Sequence, residues 1–217
     1  MELNERQRRI VEWAHSRISN PAEWVILDTE TTHLEGEVIE LVILDPTGRL
    51  LLESLVRPVG KVLDEARVVH GISDEELAAA PAFSDLWPRI YDVLSQVKYV
   101  ITYNAAFDRE RLAYSAQLAD LALYMGRGAA RRAKLYGPAA RPATPVVLAA
   151  EWECLMEQYA RYHGERSRRG FKYQALEKAC RQLHVRHEQW HRARGDAHAA
   201  LKVLKSLAGK YHQKIGG

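Results

Sequence analysis

The stretch that most constrains this chain is Trp24-Val25-Ile26-Leu27-Asp28-Thr29-Glu30-Thr31-Thr32-His33-Leu34. It opens as an apolar, β-branched run, which reads as a buried strand. Two carboxylates follow, two residues apart. Side chains alternate faces along a strand, so Asp28 and Glu30 point one way while Leu27 and Thr29 point the other. Like charges held side by side at the end of a buried strand repel and resist desolvation. A cation between them removes the conflict, and carboxylate oxygens favour hard divalent ions such as Mg²⁺ or Mn²⁺. Two hydrated acids at a strand end are the simpler reading of a motif this short, so the rest of the chain has to decide.

At 217 residues, 47% apolar and 27% charged, the chain has the length and composition of a globular domain with a real core. Cys154 and Cys180 are too few for a disulfide framework, which points to a reducing compartment. No run approaches the ~20 apolar residues of a membrane span, and the charged segment Met1–Arg9 lacks a signal-peptide apolar region. The expectation is a cytoplasmic protein with no membrane partner. The net charge of +3 is too mild to imply nucleic acid by itself.

Residues 3–19 place Leu3, Ile10, Val11, Ala14 and Ile18 near one face, an amphipathic helix stopped by Asn20-Pro21. Residues 1–22 are therefore expected to pack as a helix on a single domain, 23–217. Glu37–Asp45 and Arg49–Val56 read as strands joined by the turn Asp45-Pro46-Thr47-Gly48, giving an antiparallel meander with the first strand. Ser73 and Glu76 form a capping-box pattern after Val69-His70-Gly71-Ile72. A helix follows over Phe83–Gln96, then a strand over Lys98–Tyr103 and a helix from Asn104 to about Tyr124. Residues 125–145 collect glycines and prolines with Arg127, Arg131, Arg132, Lys134 and Arg141. This basic loop insertion is either a flap over a nucleic-acid groove or a solvated loop. Val146–Leu155 supplies a strand or a helix. Helices are expected near 156–163, 173–183 and 195–211, with basic and aromatic residues between the first two. The alternation predicts an α/β fold: a mixed five-stranded sheet flanked by helices.

Two further motifs complete a constellation. Asn104-Ala105-Ala106-Phe107-Asp108 follows a strand and opens a helix. His191-Arg192-Ala193-Arg194-Gly195-Asp196 opens the last helix. Each acid on its own is explained by the helix dipole. In this order, with Asp28-Thr29-Glu30-Thr31-Thr32 first, the three resemble the motifs of the DnaQ-like, DEDDh-type 3′–5′ exonucleases. That family includes the proofreading subunit of bacterial replicative polymerases. The resemblance covers about residues 24–208 and implies a ribonuclease H-like fold. It also implies that Asp28, Glu30, Asp108 and Asp196 hold two Mg²⁺ or Mn²⁺ ions for in-line displacement at phosphorus, with His191 as general base. Thr31, Thr32, His33, Leu34, Asn104 and Phe107 fall at substrate-contacting positions. His33 departs from the pattern, standing where the family usually has Gly, a residue that lets the backbone approach a ligand or take φ > 0.

The resemblance implies removal of nucleoside 5′-monophosphates from single-stranded or frayed DNA 3′ ends, with a DNA polymerase or other repair protein as partner. A 3′–5′ exoribonuclease of the ribonuclease T or oligoribonuclease type uses the same chemistry. The alternative from another class is a non-catalytic nucleic-acid-binding or polymerase-associated module. Retention of all four acids and His191 favours the enzyme.

Overall fold

The computed structural model describes residues 2–119, 123–125, 146–187 and 191–211. Helix α1 (Glu5–Ser19) is closed at its start by a capping box between Asn4 and Gln7. A 3₁₀ turn, Pro21–Glu23, leads into β1 (Trp24–Thr31), which meanders antiparallel through β2 (Val38–Leu44) and β3 (Leu50–Leu55). The short helices α2 (Asp64–His70) and α3 (Asp74–Ala78) follow, then α4 (Phe83–Leu94), β4 (Tyr99–Thr102) and α5 (Ala105–Leu118). The Ser73–Glu76 capping box forms as expected, with reciprocal bonds of 3.2 and 2.8 Å.

Beyond α5 come β5 (Leu123–Met125), β6 (Val146–Leu148), β7 (Glu151–Cys154), α6 (Leu155–His163), the hairpin strands β8 (Arg166–Ser167) and β9 (Gly170–Phe171), α7 (Leu176–Gln182) and α8 (Ala193–Gly209). The main sheet is five-stranded and mixed, ordered β3-β2-β1-β4-β7, with β1, β4 and β7 parallel. This is the mixed sheet expected from the sequence.

Three details differ from expectation. The helix expected to reach Tyr124 ends at Leu118, and Leu123–Met125 ladders in parallel with Val146–Leu148. The run from Leu121 to Met125 carries no breaker, and an apolar run that short fits either state. The ambiguous stretch 146–155 resolves into two strands and the start of a helix. The basic segment before α7 contains a hairpin, with Phe171 sandwiched between the guanidinium groups of Arg6 and Arg166 at 4.7 and 4.3 Å. Residues 126–145, most of the expected basic insertion, lie outside the described residues.

The sheet buries both faces. Trp24, Ile26, Val42, Leu44 and Ile101 pack against α1, α6 and α8. Val25, Leu27, Leu41, Ile43 and Val100 pack against α4 and α5. A half-buried ion pair fastens α1 to the sheet. Arg17 forks onto Glu153 of β7 at 2.5 and 2.7 Å, and its guanidinium lies 3.7 Å over the Tyr99 ring. No described helix is long and apolar enough to cross a membrane.

Candidate active site

Strand alternation delivers the first two acids. Trp24 and Ile26 face the α8 layer, so Asp28 and Glu30 face it as well. Asp196 comes from the first turn of α8, where the helix dipole favours an acid. Carboxylate oxygens of Asp28, Glu30 and Asp196 lie within 4.8 Å of one another.

Asp108 arrives from the opposite layer, in the first turn of α5. It is 3% exposed, and its Oδ1 accepts from the Thr29 hydroxyl at 2.9 Å. Thr29 is the β1 residue that points away from α8, and Asp108 reaches it from that side. Of the neighbouring charges, that of Asp108 acts most strongly on Asp28.

Desolvation and mutual repulsion raise the carboxyl groups of these acids above their ordinary range. Burial raises the Asp28 carboxyl well above the usual range, and Asp108, Glu30 and Asp196 add to the effect. Burial pushes Glu30 up to about 8, reinforced by Asp196 and Glu40 and opposed by Arg192. Asp108 is raised to about 6, burial outweighing hydrogen bonds that favour its charged form, that of Thr29 among them. Burial raises Asp196 too, against the pull of His187 and His191. Such a set is short of positive charge, and its all-oxygen donors suit a hard divalent ion.

His191, five residues before Asp196, is exposed and has φ 61°, in the left-handed region. Its backbone hydrogen bond favours ionised Asp196. The imidazole measured against that carboxylate is a different one: Nε2 of His187 lies 3.6 Å from Asp196 Oδ1, with the His187 side chain 4% exposed. No motif in the sequence marks His187.

A cleft of about 580 Å³ adjoins the acids, lined by Glu30, Thr31, His33, Leu34, Val69 and Phe107 among others. Leu34 is 83% exposed. Thr32 and Asn104 do not line the cleft. Thr32 is buried and closes the turn after β1, its hydroxyl accepting from the Glu37 N–H at 3.1 Å. Asn104 precedes α5, and its carbonyl accepts from the Asp108 N–H at 3.2 Å. The tight approach in this turn falls on Gly36 rather than on His33. A Cβ at Gly36 would meet Thr32 Oγ1 at 2.0 Å, whereas His33 keeps a negative φ.

Two further residues lie outside the three acid-bearing motifs, though His70 belongs to the Val69-His70-Gly71-Ile72 stretch. His70, in the floor of the cleft, accepts from the Ile72 N–H on Nδ1 at 3.0 Å, which leaves its proton on Nε2. Glu40 lies directly opposite Glu30 in the β1–β2 ladder and is 3% exposed. Arg192 forks onto it through Nη2 at 2.7 Å and Nε at 3.1 Å, and the Ala193 N–H donates to its other oxygen at 2.9 Å. A carboxylate on β2 satisfying a helix 152 residues later leaves no local pattern.

A mixed sheet whose central strand ends in two acids, meeting a third on the last helix, is the ribonuclease H-like fold shared with solved exonuclease structures. Residues 25–119 match the family model described as Exonuclease. The chain is 32% identical over 188 residues to "Uncharacterized exonuclease CP81" of Escherichia phage 186, covering 85% of this chain and 87% of that one. It is 35% identical over 96 residues to the DNA polymerase III subunit epsilon of Escherichia coli, a match covering 39% of each chain.

Two solved structures share the fold. One is Exonuclease X in complex with 5′ overhanging duplex DNA, with TM-score 0.54, 23% identity, and 86% of this chain and 93% of that one covered. The other is the nuclease domain of 3′hExo, a DEDDh family member bound to rAMP, with TM-score 0.61, 17% identity, and 88% and 94% covered. The chain belongs to the exonuclease family.

Proposed function

We propose that the chain is a divalent-metal-dependent 3′–5′ exonuclease that releases nucleoside 5′-monophosphates from single-stranded or frayed DNA 3′ ends. The observation that carries this reading is the convergence of Asp28, Glu30 and Asp196 within 4.8 Å at the mouth of an apolar cleft. These three, with Asp108 from the opposite layer, would hold two Mg²⁺ or Mn²⁺ ions, which when bound stabilise the charge developing on the phosphoryl oxygens.

The rest falls to the chain's own residues. Leu34, Val69 and Phe107 present apolar surface for the terminal base, and Leu34 stands at the rim, where it can part the last two bases. His33 is exposed beside them, a donor for a terminal phosphate. His191, exposed just before α8, takes a proton from the attacking water. Likeness to a polymerase subunit supports a polymerase or another repair protein as partner.

The test uses DNA and RNA oligomers labelled at the 5′ end, single-stranded and duplex, with Mg²⁺, Mn²⁺ or EDTA. A ladder shortening from the 3′ end of DNA, absent in EDTA, is expected. Preference for RNA would move the assignment to an exoribonuclease, and cutting of a circular single strand would overturn it.

A further inference from the structure

Arg192, the N-cap residue of α8, makes no side-chain cap of its own. The first orphan N–H of that helix is instead satisfied from across the sheet, where Glu40 Oε2 accepts from Ala193 N at 2.9 Å. The same carboxylate takes the fork of Arg192. One buried side chain on β2 therefore fastens two consecutive residues of the segment that carries His191. His191 itself has φ 61°, a conformation that a non-glycine residue keeps only when its surroundings over-determine it. Nothing in the His191 side chain requires that turn. It follows from bringing Arg192 and Ala193 down onto Glu40 while the chain continues into α8.

Electrostatics give the clamp a second effect. Glu40 and Glu30 are directly paired across the ladder on the face toward α8. Two buried carboxylates so placed repel, and the Arg192 guanidinium stands where it offsets both.

We propose that Glu40 is a positioning residue of this site: through Arg192 and the Ala193 amide it sets where His191 stands relative to Asp28 and Glu30. This rests on the nuclease reading above. Glu40 touches neither substrate nor reacting atoms, so its effect passes through the His191 segment.

The test is a double-mutant cycle of Glu40→Gln and His191→Ala in single-turnover cleavage of a DNA oligomer at saturating Mg²⁺, with amide hydrogen exchange on the same proteins. Gln keeps the size and one acceptor but loses the charge that holds the guanidinium. Glu40→Gln alone is expected to lower kcat about 10- to 100-fold with KM changed less than about threefold. In the His191→Ala background it should cost less than about threefold more, because both variants disable one unit. Exchange should quicken at Ala193–Asp196 and stay unchanged in β1 and β4. Full kcat in Glu40→Gln, or losses that multiply in the double variant, would overturn the proposal. So would exchange that quickens evenly through the core, the mark of a merely structural residue. If the wild-type protein cleaves no nucleic acid, the nuclease reading fails, while the exchange pattern still decides whether Glu40 fixes the segment.

Discussion

Titrating the metal-free protein with Mg²⁺ at pH 7 is expected to expel protons as the ion binds. Glu30, with its carboxyl at about 8, is roughly nine-tenths protonated at that pH, and Asp108, at about 6, roughly one-tenth. Burial and the charges of Asp108, Glu30 and Asp196 hold Asp28 well above the ordinary range. A divalent ion requires ionised ligands, so at least about one proton should leave per protein. Calorimetric titrations in two buffers of different ionisation enthalpy give the count directly, and it should fall as the pH is taken above 8.

The same shift sets the stability of the chelated protein. The folded-state value of Glu30 lies above its ordinary 4.5, so its stabilising contribution is fully present below pH 4.5 and lost as the pH rises through about 8. At about 1.4 kcal/mol per pH unit, that window spans roughly 5 kcal/mol as a ceiling. The thermal midpoint in EDTA should therefore fall between pH 5 and 8, and saturating Mg²⁺ should flatten the decline. Mg²⁺ binding at pH 7 with no proton released would show that the acids are already ionised in the metal-free protein, and the account of burial and repulsion would be wrong.

Four other outcomes are expected. Asp28→Ala and Asp196→Ala should each abolish most cleavage and weaken Mg²⁺ binding in calorimetry, since each deletes an oxygen donor. His191→Ala should lower kcat by roughly 10²–10⁴-fold and leave Mg²⁺ affinity intact. On the β8–β9 hairpin, Arg168 and Arg169 are exposed and pair with no described carboxylate. If they track the strand's phosphates, each change to Ala should reduce the log–log salt slope of oligomer binding by about 0.7. Glu153→Ala should strip the partner from Arg17, whose side chain is 14% exposed, and lower unfolding free energy by about 3 kcal/mol in urea titrations.

What was legible in the chain was what depends on neighbours in sequence. Asp28 and Glu30 share a face because strands alternate, and the turn Asp45–Gly48 dictates its hairpin. Asp108 and Asp196 sit in first helical turns because acids are favoured there. What was not legible depends on pairs far apart. Glu40 reads as one more residue of an apolar strand until Arg192 is folded onto it. Thr32 is placed by the motif, but that its hydroxyl also closes the turn with the Glu37 N–H depends on a partner the motif does not contain. His187 has no spacing rule linking it to Asp196. That Asp108 approaches from the helix layer opposite α8 is likewise something linear order does not state.

That arrangement has a consequence for the newly made chain. Asp28, Glu30 and Asp196 are brought together when α8 docks on one side of the sheet, whereas Asp108 needs α5 docked on the other. A half-assembled molecule thus lacks part of its acid set, whichever layer forms first. Completion of the acid set therefore waits on the last docking step.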